Sequence, residues 1–301
     1  MNSSLQHSST ALVLGGGGST GNAWLIGVVA GLFDAGLDVT TADLTVGTSA
    51  GATAAAQLAG ASADSLLATT LSVAPPRRSA PNAPGRGPAA PVVNHLERVN
   101  SLIASATDAA DLRSRLGAAA LELDAASDGS WTTQWRATVA SRLPSRHWPQ
   151  RTVFITAVDA GTGEPVVFDR YSGVDVADAV AASCSSGLPY RIGDHLYLDG
   201  GYRANAENAD LAAGYGRVLV LSPFGGRSLT PAAWGTHLAT QLDELRAGGS
   251  RVETIFPDAG AEHLFGVNGM DLSLRPAAAR AGYDQGRAHA GQLTGFWRDD
   301  S

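Results

Sequence analysis

Residues 11–33, ALVLGGGGSTGNAWLIGVVAGLF, decide the fold class. A short apolar run reads as a buried strand. Four consecutive glycines follow, and from Asn22 to Ala35 the apolar residues Trp24, Leu25, Val28, Val29, Leu32 and Phe33 fall at helical spacing. Glycine is entropically costly to order, so the cluster asks what must approach that backbone: a phosphate, a dinucleotide, or an oxygen that becomes negative during a reaction. A second short strand over Asp43–Val46 leads into a small-residue helix over Ala50–Ala59. Strand, helix, strand, helix implies parallel strands joined by crossover helices.

Composition removes several chemistries. The 301 residues include no lysine, so all 21 basic residues are arginine, which excludes a Walker A loop, a Ser-x-x-Lys nucleophile and a Schiff-base enzyme. A net charge of −7, with no arginine run longer than PPRR at 75–78, argues against nucleic-acid binding and against strong attraction to anionic membranes. One cysteine, Cys184, allows no internal disulfide, and the seven histidines show no zinc spacing. No metal or cofactor is expected. The N-terminal residues MNSSLQHSST lack a signal-peptide pattern, and the longest apolar stretch, residues 23–33, is too short to span a bilayer. The expectation is a cytoplasmic protein without a transmembrane segment, open to transient membrane-surface contact; the oligomeric state is not legible.

Residues 1–10 are expected to be disordered, and 11–301 to form a single domain. Within it, VAPPRRSAPNAPGRGPAAP at 73–91 reads as a long loop, and helical patterns at 94–105, 108–124 and 130–142 read as a helical insertion over about 92–149. The sheet resumes with TVFITAVD (152–159) and PVVFD (165–169). Further expected elements are a helix at 175–183, a strand at 196–198, a helix at 206–213, strands at 217–222 and 251–256, and helices at 231–246 and 276–292.

Gly16, Gly18 and Gly21 satisfy G-x-G-x-x-G between a strand and a helix, so a nucleotide-binding loop is one reading. That reading needs an acid at the end of the second strand to hold a ribose. What stands there is Gly47-Thr48-Ser49-Ala50-Gly51, a G-x-S-x-G pentapeptide between strand and helix. Such a turn holds a serine in strained geometry with its hydroxyl exposed. Adjacent parallel strands bring both loops to one sheet edge, where the amides of Gly16, Gly17 and Gly18 could face a carbonyl attacked by Ser49. Downstream, HLYLDGGYRANAENADLA at 195–212 places Asp199 after a short apolar run and before Gly200 and Gly201.

The set GGGGSTG, GTSAG and LDGG, in this order, resembles the patatin-like phospholipase family, over roughly Ala11–Ser222 and including VADAVAASCSSGLPYRIGDHLYLDGG. The resemblance implies a three-layer α/β/α fold with a central, mostly parallel sheet. It implies Ser49 as nucleophile, Asp199 as its general base in a dyad without histidine, and Gly16, Gly17 and Gly18 as the oxyanion loop, with Gly21, Gly47, Gly51, Gly200 and Gly201 completing the motifs. A basic residue common in the family before the last glycine of the first motif is Thr20 here. The implied substrate is an acyl ester, of lipid or lysophospholipid type, cleaved through an acyl-enzyme. Two other classes stay open at this stage: a nucleotide-binding domain using the glycine loop, and a catalytically silent lipid-binding module. His237, His263 and His289 follow Asp199 in the order of an α/β-hydrolase triad but read as structural, as does Cys184.

Overall fold

In the computed structural model, residues 9–72 and 91–298 are described, those from 91 to 94 by their backbone alone. The opening apolar run forms β1 (Thr10–Leu14), and the chain then makes α1 (Gly18–Asp34), β2 (Leu44–Gly47), α2 (Ala50–Gly60) and α3 (Ala63–Ser72). The expected insertion consists of α4 (Pro91–Ser105), α5 (Ala109–Ala125) and α6 (Ser130–Ala140). The sheet resumes with β3 (Thr152–Asp159) and β4 (Pro165–Phe168), followed by α7 (Val176–Ser183), β5 (Tyr190–Ile192) and β6 (His195–Asp199). Last come β7 (Arg217–Leu221), α8 (Leu238–Ala247), β8 (Arg251–Ile255) and α9 (Arg275–Trp297).

The fold is mixed α/β around one central sheet. Its strand order is β5-β6-β3-β2-β1-β7-β8, with β4 also paired to β3. The strands β3, β2, β1, β7 and β8 are parallel neighbours, as the strand–helix alternation requires. At the β3 end the sheet turns antiparallel, through β4, β6 and β5. The long strand β3 pairs with β2 through residues 152–155 and with β6 through residues 157–159. Because β2 runs parallel to β3 and β6 runs against it, the two strands approach each other and stop two residues apart along β3. Gly47 lies opposite Ile155, and Asp199 lies opposite Ala157.

Alternation along β1 sorts its side chains between two cores. Leu12 and Leu14 join Ile155, Leu219 and Leu221 beneath α1, α2, α7 and α9, while Ala11 and Val13 join Val46, Val218 and Val220 beneath α8. A third cluster packs Leu112 and Leu116 of α5 against Val158 and Leu198. Helices α1 and α9 approach closely because Gly27 and Gly31 face Gly282 and Gly286: a Cβ at any of the four would meet a backbone carbonyl of the facing helix.

Some expectations need correction. Residues 206–213 form only a 3-10 turn, Ala209–Ala212, because Asn208 stands in the left-handed region (φ 55°) and the Asn205 side chain captures the backbone N–H groups of Glu207 and Asn208. The helix expected at 231–246 is a short 3-10 turn, Ala232–Trp234, closed by Gly235 at φ 71°, before α8. Helix α1 begins at Gly18, four residues before its apolar pattern, and α3 and β5 carry too little pattern to be read. The expected loop at 73–91, apart from Pro91, lies outside the described residues, as does most of the expected disordered segment 1–10; Thr10 is the first residue of β1.

Candidate active site

Ser49 is the hinge between β2 and α2. Its backbone is left-handed, φ 53° and ψ −112°, a conformation that costs a β-carbon-bearing residue roughly 1–3 kcal/mol. Local bonds hold it there. The Thr48 N–H donates to Leu14 O (3.1 Å), the Ser49 N–H donates to Ser183 Oγ (2.9 Å), and the Gly51 N–H donates to Thr48 O (2.8 Å). Helix α2 must run hard against β1 for this turn to close; a side chain at Gly51 would collide with Leu14 O. Gly47, on the other side of the serine, ends β2. Ser49 is the N-cap residue of α2, so the positive end of that helix dipole lies at its side chain.

The Ser49 hydroxyl donates to Asp199 Oδ2 at 2.8 Å. The contact follows from the register, in which β2 and β6 end head to head along β3. Asp199 Oδ1 accepts the Gly201 N–H (2.8 Å), and Gly200 lies so close to Thr156 that no side chain fits between them. Asp199 is 8% exposed. Its two hydrogen bonds favour the carboxylate, but burial outweighs them and pushes the carboxyl up to about 6.

The glycine loop lies beside this pair. A Cβ at Gly16 would stand 3.6 Å from Ser49 Cβ. Gly16 departs from the expected role, because its N–H donates to Ala206 O (2.8 Å) and is not free to meet a substrate oxygen. The amides of Gly17 and Gly18 have no acceptor among the described residues, and Gly18 has φ 67°. Gly21 belongs to the first turn of α1, its N–H donating to Gly17 O (3.1 Å). The Thr20 N–H donates to Gly269 O (3.0 Å), which fixes the start of α1 from the other side.

Several residues around the pair escaped sequence reading. Ser183 caps the Ser49 amide. Asn208 donates through Nδ2 to Thr48 Oγ1 (3.0 Å) and Gly200 O (2.9 Å), joining the loops that carry Ser49 and Asp199. Thr48 and Thr156 share a hydroxyl contact at 3.0 Å. Glu207 is 1% exposed, accepts from Ser222 Oγ (2.6 Å), and is pushed by burial up to about 7. The signal for them was slight: isolated polar residues in otherwise small or apolar runs.

No histidine among the described residues bonds to Ser49 or Asp199. His237 meets Thr230 O (2.7 Å) and His195 meets Asp159 Oδ2 (3.0 Å), while His263 is exposed. The Cys184 thiol donates to Ser49 O (3.1 Å), and burial, aided by the Asp199 charge, raises it to about 12, far from a reactive thiolate. Trp131 and Trp135 stack on each other and donate to Pro189 O and Ala181 O, so both are committed to packing around α7. Among the described residues no group of three His, Cys, Asp or Glu side chains is placed to hold a metal ion, and no helix is long and apolar enough to cross a membrane.

No curated protein sequence matches the chain. Among solved structures, the crystal structure of VipD from Legionella pneumophila matches at 13% identity and a TM-score of 0.41, over 95% of this chain and 67% of that one, a likeness too distant to speak to function. The family model described as patatin-like phospholipase matches residues 12–212, two thirds of the chain and the whole span from the glycine loop past Asn208. The chain therefore belongs to the patatin-like phospholipase family.

Proposed function

We propose that this protein hydrolyses acyl esters of lipids, including lysophospholipids, with Ser49 as nucleophile and Asp199 as the only general base. The observation that carries the reading is the 2.8 Å hydrogen bond from Ser49 Oγ to Asp199 Oδ2 on a strained strand-to-helix turn. At pH 7 a carboxyl with a value of about 6 is mostly ionised yet basic enough to accept a proton. As Ser49 Oγ attacks the ester carbonyl, its proton passes to Asp199. The negative oxygen of the tetrahedral intermediate meets the Gly17 and Gly18 amides and the positive end of the α2 dipole. Asp199 then returns the proton to the departing alcohol. Water, deprotonated by the same carboxylate, attacks the acyl-enzyme, and Asp199 passes that proton to the departing Ser49 Oγ as the acid is released.

In this reading residues 11–301 act as one hydrolase domain, a three-layer arrangement supported by the two apolar clusters on opposite faces of the sheet, with α4–α6 as its insertion. Turnover on a panel of p-nitrophenyl esters and lysophosphatidylcholine tests it. Ser49→Ala is expected to lower kcat by roughly 10³-fold or more, while His237→Ala changes little. Activity that survives in Ser49→Ala would overturn the proposal.

A further inference from the structure

Arg275 opens α9, beyond the residues matched by the family model, yet its guanidinium reaches the first turn of α1. One terminal nitrogen donates to Ser19 O (2.6 Å) and Ser19 Oγ (3.1 Å), and the other donates to Asn22 Oδ1 (3.1 Å). Ser19 directly follows Gly17 and Gly18, whose amides have no acceptor among the described residues. Asn22 in turn donates to Gln57 Oε1 (2.9 Å) and to Ala50 O (3.5 Å), the carbonyl of the residue after Ser49. A single cation thus ties the turn that carries the glycine amides to the turn that carries the serine.

The placement works against stability in three ways. Arg275 is half-buried. Its three acceptors are neutral, and among the described residues no carboxylate lies within ion-pair distance of it. It also sits at the positive end of the α1 dipole, where an anion would be favoured. Burial and the like charge of Arg142 together make Arg275 easier to deprotonate than an ordinary arginine. A partly buried cation without a counter-ion favours an anion nearby, and the residue it grips, Ser19, directly follows Gly17 and Gly18.

We propose that Arg275 is a positioning residue for ester hydrolysis: through Ser19 and Asn22 it sets the Gly17–Gly18 turn against Ser49, and its positive charge favours the anion formed there. This rests on the assignment of Ser49 as nucleophile. The two are separable by measuring Ser49→Ala, Arg275→Gln and Arg275→Lys side by side with wild type, using p-nitrophenyl butyrate as a soluble substrate and thermal melting as the control for folding.

Arg275→Gln is expected to lower kcat roughly 10- to 100-fold, with KM within about twofold and a melting temperature equal to or above that of wild type. Arg275→Lys keeps the charge and loses the planar fork, so it should regain part of kcat. The proposal is overturned if Arg275→Gln retains kcat within about twofold of wild type. It is equally overturned if the Gln variant melts lower or fails to fold and the Lys variant recovers no activity, since Arg275 would then only hold the fold. Undiminished hydrolysis by Ser49→Ala is a different result, which removes the nucleophile assignment and this inference with it.

Discussion

In the proposed reaction Asp199 serves as a base without a histidine, a role its surroundings favour. A carboxylate at its ordinary value of 3.8 is too weak a base for a serine, but desolvation brings it to about 6. Two opposite pH dependences follow. Hydrolysis needs the carboxylate, so kcat/KM should fall about tenfold per pH unit below about 6; a flat profile from pH 7 to 4.5 would contradict this. Stability runs the other way. The folded chain keeps the Asp199 proton between about pH 4 and 6 after the unfolded chain has lost it, so this contribution is present below pH 4 and is lost as pH rises through 6. Glu207 adds to the same trend up to about 7. At pH 8, Asp199→Asn should therefore melt above wild type while losing activity, and a lower melting temperature would count against the burial argument. The pairing of Ser49 with Asp199 was legible in the sequence because the chemistry proposed for them demands glycine neighbours, which are visible as letters. The fate of the Gly16 amide was not, because its acceptor, Ala206 O, belongs to a chain segment that only folding brings near.

At the scale of elements, the site depends on two strands that stop against each other along β3, and Asn208 joins the turns beyond their ends. Asn208→Gly keeps the left-handed backbone and removes the amide, and with it the hydrogen bonds to Gly200 O and Thr48 Oγ1 that join the two turns. Each such hydrogen bond is worth about 0.5–1.5 kcal/mol net, and about 2–4 °C of melting temperature per kcal/mol is usual for a domain somewhat smaller than this. The variant should melt several degrees lower and lose activity; a melting temperature within 1 °C of wild type would contradict the bracing role. The strands β1, β2, β3 and β7 were readable because they are largely buried, mostly apolar runs, β8 through its β-branched residues Val252, Thr254 and Ile255, and α1 and α9 because they are long and periodic. The 206–213 segment misled because ANAENADLA has helical composition, while Asn205 and Asn208 hold their backbone in a turn. Strand β5, three residues at the sheet edge, has no pattern long enough to detect. The antiparallel turn of the sheet was also hidden, although it is what aims Asp199 at Ser49.

Across the whole molecule, segments near residues 16, 49 and 199 meet because a parallel sheet gathers the ends of β1 and β2 at one edge and β6 closes on them from the opposite direction. Glycine packing between α1 and α9 holds the far side of the glycine loop, and Arg275 links that support back to the loop. The convergence was foreseeable from three motifs in order; its tightness came from polar contacts among Ser183, Asn208, Thr48 and Thr156 that no spacing announces. The most direct test of the central claim, that Ser49 is a nucleophile activated by Asp199 alone, is reaction with a fluorophosphonate followed by peptide mass spectrometry. One adduct is expected, on the peptide containing Ser49. Labelling should vanish in Ser49→Ala, slow by roughly 100-fold or more in Asp199→Asn, and proceed normally when His195, His237 or His289 is replaced by alanine. An adduct on another residue, or a rate that depends on one of those histidines and not on Asp199, would contradict the claim.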